Sequence, residues 1–409
     1  MVVIRGAALC LFLLCLTDCA TYGTKVRAAR ELFGSGQYEA AALELTNLAE
    51  KKDNDLLLYL MELGMVRHAA GNYRQAIEHF REAEKIAVLN DYTSVSQEVS
   101  SVLLNDSTKV YKGEDFEKIL INVYLAIDYT LMGNFEDALV ECRRVNQKLD
   151  IMIAEGNLPY AHNSFAKYLA ASLFESQREY NDAFVDYRTV KKWLPSFSNL
   201  PGPLMRVADK LQSLEELAEF QKSFPEVKNY RISKNEGEVI LIFEQGRAPY
   251  KIPNPAFELV PIFAKNFSDF KSATLHDQKG LASNRADLLF DIEGTAIYEL
   301  QQKIVRLTAK KIGGMVAKRA MAYGVGKATK SREAEFLSYL LLSATDHADL
   351  RSWVTLPATL RLARITLPAG RHDLLLDRVA GDNRRVVKKW EGVQVKAGQI
   401  TFLNLRVID

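Results

Sequence analysis

Cysteine is nearly absent from the body of this sequence. Of the four, Cys10, Cys15 and Cys19 fall in the first nineteen residues and only Cys142 follows. Without that leader no intramolecular disulfide is possible, so the fold must rest on its core. An excess of one charge is missing too: 53 Lys and Arg face 51 Asp and Glu, a formal +2, which gives no support to a nucleic-acid partner. No Pro/Ser/Gln-rich or single-sign tract points to disorder. No apolar run reaches the roughly 20 residues that a membrane-spanning helix needs. The sequence has no His-Glu-x-x-His and no Gly-x-Ser-x-Gly, so zinc-protease and α/β-hydrolase chemistry lack their signatures. Gly324-Val325-Gly326-Lys327 misses the phosphate-loop pattern, because Met321 stands at its first Gly and Ala328 at its Ser or Thr. No cofactor and no metal site is expected.

What is present begins with an address. Arg5 is the only charge ahead of a ten-residue apolar run, Ala7 to Leu16. A short positive segment before a run of that length predicts a secretory signal peptide. The stretch Leu16-Thr17-Asp18-Cys19 resembles the lipobox of bacterial lipoproteins, although Asp18 stands where that pattern has a small residue. The resemblance implies a leader over residues 1–19 and acylation at Cys19. With Ala20 next, it also implies an anchor on the periplasmic face of the bacterial outer membrane. Two acyl chains, at about 0.8 kcal/mol per buried CH₂, suffice for stable anchoring.

At 409 residues two domains of roughly 150–200 residues are expected. Over residues 20–200 a signature recurs: Gly36-Gln37-Tyr38, Gly71-Asn72-Tyr73, Gly133-Asn134-Phe135 and Arg178-Glu179-Tyr180. Each aromatic is followed three positions on by Ala41, Ala76, Ala138 or Ala183. Four further come Leu45, Phe80, Cys142 and Tyr187. Steps of three and four keep these residues on one helix face. The pattern predicts antiparallel helix pairs in which Gly makes the turn and the aromatic and Ala are packing residues. It resembles the tetratricopeptide repeat, whose period is about 34. Only the Tyr38–Tyr73 spacing comes close, so insertions are expected near 90–115 and 152–162. Such arrays bind partners on a concave face. Polar groups on the first helices, such as Asn122, Asp128 and Lys167, are expected to project there toward a cell-envelope protein.

Residues 201–234 read as a helical linker and 235–409 as a mixed α/β domain. Glu238–Glu244 reads as a largely buried strand, and the stretch with Pro249, Pro253, Pro255 and Pro261 cannot be a central one. Strands are predicted at Leu360–Thr366, His372–Leu376, Arg385–Trp390 and Thr401–Val407, the last with the alternation of half-buried antiparallel strands. The expected fold class is α+β: a tetratricopeptide-like α-solenoid, then a β-sandwich-like module with a long helical segment, Asp291 to Leu342, packed against it.

The string Ala348-Asp349-Leu350-Arg351-Ser352-Trp353-Val354-Thr355-Leu356-Pro357, with Phe243-Glu244-Gln245-Gly246 and Leu367-Pro368-Ala369-Gly370, resembles a bacterial lipoprotein family that joins tetratricopeptide-like repeats to such a domain. The resemblance brings no activity with it. Asp349, Arg351, Trp353 and Pro357 are expected to be structural, Arg351 pairing with an Asp and Trp353 in the core. The Asp346/His347/Asp349 cluster is the one arrangement suited to a hydrolase or metal site. Finally, Lys303, Arg306, Lys310, Lys311, Lys318, Arg319, Lys327, Lys330 and Arg332 occur with no acid between Glu299 and Glu333, beside a stripe of Val305, Ala309, Ile312, Val316, Ala320 and Tyr323. That basic amphipathic helix suits an anionic envelope lipid or polymer, or else is a core helix with a solvated face. The reading that best unites these features is a lipid-anchored, non-catalytic scaffold that binds an envelope protein.

Overall fold

The computed structural model describes residues 21–94, 109–154, 163–343 and 347–408. Cys19 and Asp346 lie outside the described residues. The repeat signature marks where helices begin. Helices α1 (Tyr22–Lys25) and α2 (Arg27–Gly34) lead into α3 (Tyr38–Ala49). Then α4 (Leu56–Ala69) pairs with α5 (Tyr73–Ser94), α6 (Asp115–Leu131) with α7 (Phe135–Ala154), and α8 (Ser164–Ser176) with α9 (Tyr180–Trp193). The signature aromatic is thus the first residue of α3, α5, α7 and α9. Gly36, Gly71 and Gly133 take φ near 77° in the turns before them, a left-handed conformation that glycine enters without steric cost. The fourth turn puts Arg178 there, at φ 65°. In the stretch read as a linker, α10 (Pro201–Lys210) and α11 (Leu214–Ser223) pack on α9 as a further pair.

Small residues set the helix spacing. Ala41, Ala76, Ala138 and Ala183 are completely buried. A Cβ at Gly64 would lie 2.3 Å from the Phe80 ring, so α4 and α5 approach as closely as they do only because Gly64 has no side chain.

The second half is β-rich: β1 (Glu236–Gln245), β2 (Tyr250–Asn254), β3 (Phe257–Ala264), β4 (Phe270–Asp277), β5 (Ser283–Arg285), β6 (Asp287–Asp291), α12 (Ile292–Thr329), α13 (Arg332–Ser343), β7 (Thr359–Pro368), β8 (Gly370–Ala380), β9 (Asn383–Val395) and β10 (Ile400–Val407). An inner sheet has the order β10-β1-β7-β6 and an outer sheet β5-β4-β8-β9, while β2 and β3 form a separate ribbon with Pro253 opposite Pro261. Strand alternation gives β1 two faces. Val239, Leu241 and Phe243 pack toward the outer sheet against Leu275, Leu374 and Leu376, whereas Ile240 and Ile242 join the core of the repeats. The chain is α+β, a helical-hairpin array carrying a β-sandwich.

Two expectations need correction. The strand at Thr401–Val407 forms, but β10 runs parallel to β1, with Ile240 opposite Phe402 and Glu244 opposite Arg406. Its half-buried side chains alternate between two neighbours, Ile400 and Phe402 against the repeats and Leu403, Leu405 and Val407 against the outer sheet. Nor does the long helix lie along the sandwich. Its first turns pack on β3 and on the start of α6, where Glu299 accepts hydrogen bonds from the backbone N–H groups of Asp115 and Phe116 (3.0 and 2.9 Å). Past Lys303 its buried positions are Gly314, Lys318, Ala322 and Gly326, four residues apart on the face turned to α13. The helix continues through Gly313-Gly314 and ends at Lys330, in the left-handed conformation.

Candidate functional site

An acidic residue in a buried strand must find a partner, and β1 carries one at each end of its inward face. Glu244 meets His68 from α4, whose Nε2–H donates to Glu244 Oε1 at 2.6 Å while Nδ1–H donates to Asp128 of α6. Tyr124 donates to Glu244 Oε2 at 2.9 Å and Asn404 of β10 to Oε1 at 2.8 Å. Burial opposes a charge on His68, but the Glu244 and Asp128 carboxylates outweigh it and raise the ring to about 10. Burial likewise opposes ionisation of Glu244, yet His68, then Arg406 and Asn404, hold it at about 2. Asp128 goes the other way: burial pushes it up to about 6 against the pull of His68. The His68, Asp128 and Glu244 side chains have no solvent exposure. No substrate can reach them, so the cluster is a clamp between repeats and sheet.

The other end of β1 repeats the device. Arg364 of β7 donates to Glu238, to Glu175 of α8 (2.8 Å) and to the Tyr187 hydroxyl of α9 (2.8 Å). Arg206 of α10 bridges the same two carboxylates at 2.6 and 3.0 Å. Burial disfavours ionised Glu175, but Arg206 and Arg364 hold it at about 2.

These contacts overturn the open groove. Asn122 and Asp128, expected to project toward a partner, are completely buried. Asn122 donates to Glu84 and Glu141, both at 2.7 Å, and Asp128 belongs to the clamp. Lys167 is engaged with Asp186 at 2.7 Å. The concave face is filled by the chain's own inner sheet.

The Asp349–Pro357 string is a strap across this junction. Arg351 forks onto Asp349 (2.9 and 2.7 Å), reaches Asp55 at the start of α4 (3.0 Å) and stacks over the Tyr111 ring. The Trp353 backbone N–H donates to Glu117 of α6 at 2.7 Å, and its ring packs on Phe80 and Tyr124. Burial, then the nearby Glu114, push Glu117 up to about 7. Pro357 is buried next to Leu356, whose carbonyl accepts from Ala248 N–H at 2.8 Å.

Of the acid/base cluster's described members, His347 is exposed and Asp349 is committed to Arg351; Asp346 lies outside the described residues. Among the described residues no group of three His, Cys, Asp or Glu is placed to hold a metal. His347→Ala is expected to change the urea midpoint by the equivalent of less than about 0.5 kcal/mol, as exposed substitutions usually do, and to complement a deletion strain. A folded His347→Ala protein that failed to complement would restore the hydrolase reading.

A cleft of about 290 Å³ opens between α2 and the sandwich, lined in part by Arg30, Phe33, Arg247 and Arg406. Its two inner guanidinium groups are already engaged, Arg30 with Glu62 and Arg406 with the carbonyls of Leu356 and Val407.

A helical-hairpin array closed by its own sheet, with an α-helical arm, is the class of protein this geometry defines. The chain matches no described protein family and no curated protein. Among solved structures it is similar to MamA AMB-1 (13% identity, 49% of this chain and 88% of that one, TM-score 0.33). It is also similar to MamA from Desulfovibrio magneticus RS-1 (14%, 52% and 99%, TM-score 0.34). A third likeness is to a putative kinesin light chain of Podosopora anserina with TPR-like repeats (15%, 50% and 93%, TM-score 0.33).

Proposed function

We propose that this protein is a lipid-anchored, non-enzymatic scaffold of the bacterial envelope, tethered at the periplasmic face of the outer membrane and binding another envelope protein. The observation that carries the reading is the occupied groove. Repeat arrays commonly recognise partners through the concave face, but here both ends of β1 are clamped onto the repeats by buried ions, so the repeats and sandwich act as one rigid block. Partner recognition therefore falls to outward-facing surfaces. The lipobox-like stretch supplies the tether and the block supplies the platform.

Cys19→Ser tests the tether. The variant is expected in the soluble fraction after a high-salt wash, whereas the wild type stays in the membrane pellet. A variant that resists the wash with its acylation unchanged sinks the anchored reading.

A further inference from the structure

Among the described residues, the α12–α13 hairpin exposes an extended run of large apolar side chains. Beyond Lys303 the 38-residue helix α12 runs on for about 40 Å at 1.5 Å per residue and pairs with α13. Between its exposed basic residues stand large apolar side chains: Val305 is 76% exposed, Val316 65% and Tyr323 60%, and on α13 Phe336 is 65% exposed. Monomeric soluble proteins rarely leave so extended an apolar surface uncovered.

Two observations select what covers it. The first is placement. At 100° per residue, Ile312, Val316 and Tyr323 share one sector of α12, while Met321 and Val325, also exposed, lie nearly opposite. A protein groove covers one stripe of a helix, whereas helices that are apolar on several sides belong in a core or a lipid phase. The second is charge. No acid lies between Glu299 and Glu333, and Lys327, Lys330 and Arg332 cluster at the tip. A second copy of the same hairpin would bring like charge against like charge. An anionic surface is complementary, because long basic side chains place their stems in an apolar layer and their heads among phosphates.

We infer that the α12–α13 hairpin docks into the interface of an anionic phospholipid bilayer, with its apolar residues at the level of the acyl chains and its basic tip on lipid phosphates. Among the described residues no helix is long and apolar enough to cross a membrane, so the contact is interfacial. The inference deepens the scaffold reading by naming what one outward surface meets, and it makes the hairpin a second membrane contact beside the tether.

The test is flotation of the chain from Ala20 onward, which carries every described element and no acyl group. Vesicles of equal parts phosphatidylethanolamine and phosphatidylglycerol are compared with pure phosphatidylcholine. The protein is expected to float with the anionic vesicles and at least tenfold less with the neutral ones. Val316→Asp combined with Phe336→Asp, and separately Lys327→Glu with Lys330→Glu and Arg332→Glu, should each cut binding at least tenfold without moving the melting temperature. Val185→Asp, at an exposed apolar position on α9, serves as control and should bind as wild type. No flotation, or equal flotation of wild type and hairpin variants, overturns the inference. If flotation is absent while Cys19→Ser still frees the protein from membranes, only the lipid contact falls and the scaffold stands. If the hairpin variants float normally but lose a cross-linked envelope protein, the hairpin is a protein-docking arm and the lipid assignment is wrong.

Discussion

His68→Ala is expected to destabilise the protein by about 3–5 kcal/mol, the usual cost of stripping one partner from a buried ion pair. The change leaves Asp128 and Glu244 as two carboxylates in a dry junction with no cation between them. The urea midpoint measures it, and a loss below about 1 kcal/mol would mean that the junction admits water and is no clamp. The pH dependence carries a sign. His68 is held at about 10 against an ordinary 6.5, so its contribution is fully present below pH 6.5 and lost as the pH rises through about 10. Glu244, at about 2 against 4.5, contributes stability that is present above 4.5 and lost as the pH falls through about 2. The gap between wild type and His68→Ala should therefore hold at neutral pH and narrow on the alkaline side.

Arg364→Met should cost a similar amount, about 3–5 kcal/mol, because Glu238 and Glu175 then share only Arg206. This site permits a sharper test of a clamp against ordinary packing. Replacing charge and counter-charge together by apolar groups of similar volume is often close to neutral, so Arg364→Met with Glu238→Leu is expected to cost clearly less than the two single changes summed. A double-mutant cycle on urea midpoints reads the difference. Additivity within about 0.5 kcal/mol, the behaviour of independent sites, would show that the two residues do not act as a pair.

Local rules were readable in the sequence and long-range occupancy was not. Gly-x-aromatic located three helix starts, and Arg178-Glu179-Tyr180 a fourth, because a left-handed turn followed by a packing residue is a short-range demand. Glu238–Glu244 could be read as a buried strand because its centre is uniformly apolar. Its two acids carry the signal: in a strand covered on both faces each one requires a cation, and His68 at the end of the buried α4 supplies one. Asn122 and Asp128 read as groove residues because polarity suggests solvent, yet on the mostly buried α6 it means internal partners. Strand β4 alternates with a period of two, burying Ala273, Leu275 and Asp277 on one face. The α12 stripe was recognisable, but whether it faced a core or solvent depended on the hairpin leaving the body, which no local pattern encodes.

The placement of β1 has a consequence for how the molecule is made. This strand is central to the inner sheet, yet both hydrogen-bonding edges are supplied late: β7 on one side, and on the other β10, where Asn404 meets Glu244 from 160 residues along the sequence. During synthesis the apolar run Val239–Phe243 therefore emerges with neither neighbour, and the repeats that cover one of its faces cannot close on a finished sheet. Contacts this distant form slowly, and an unpaired apolar strand is a template for wrong pairing. The architecture leaves the inner sheet unfinished until nearly the whole chain has been made. The same delay makes β1 the segment most in need of protection along the way.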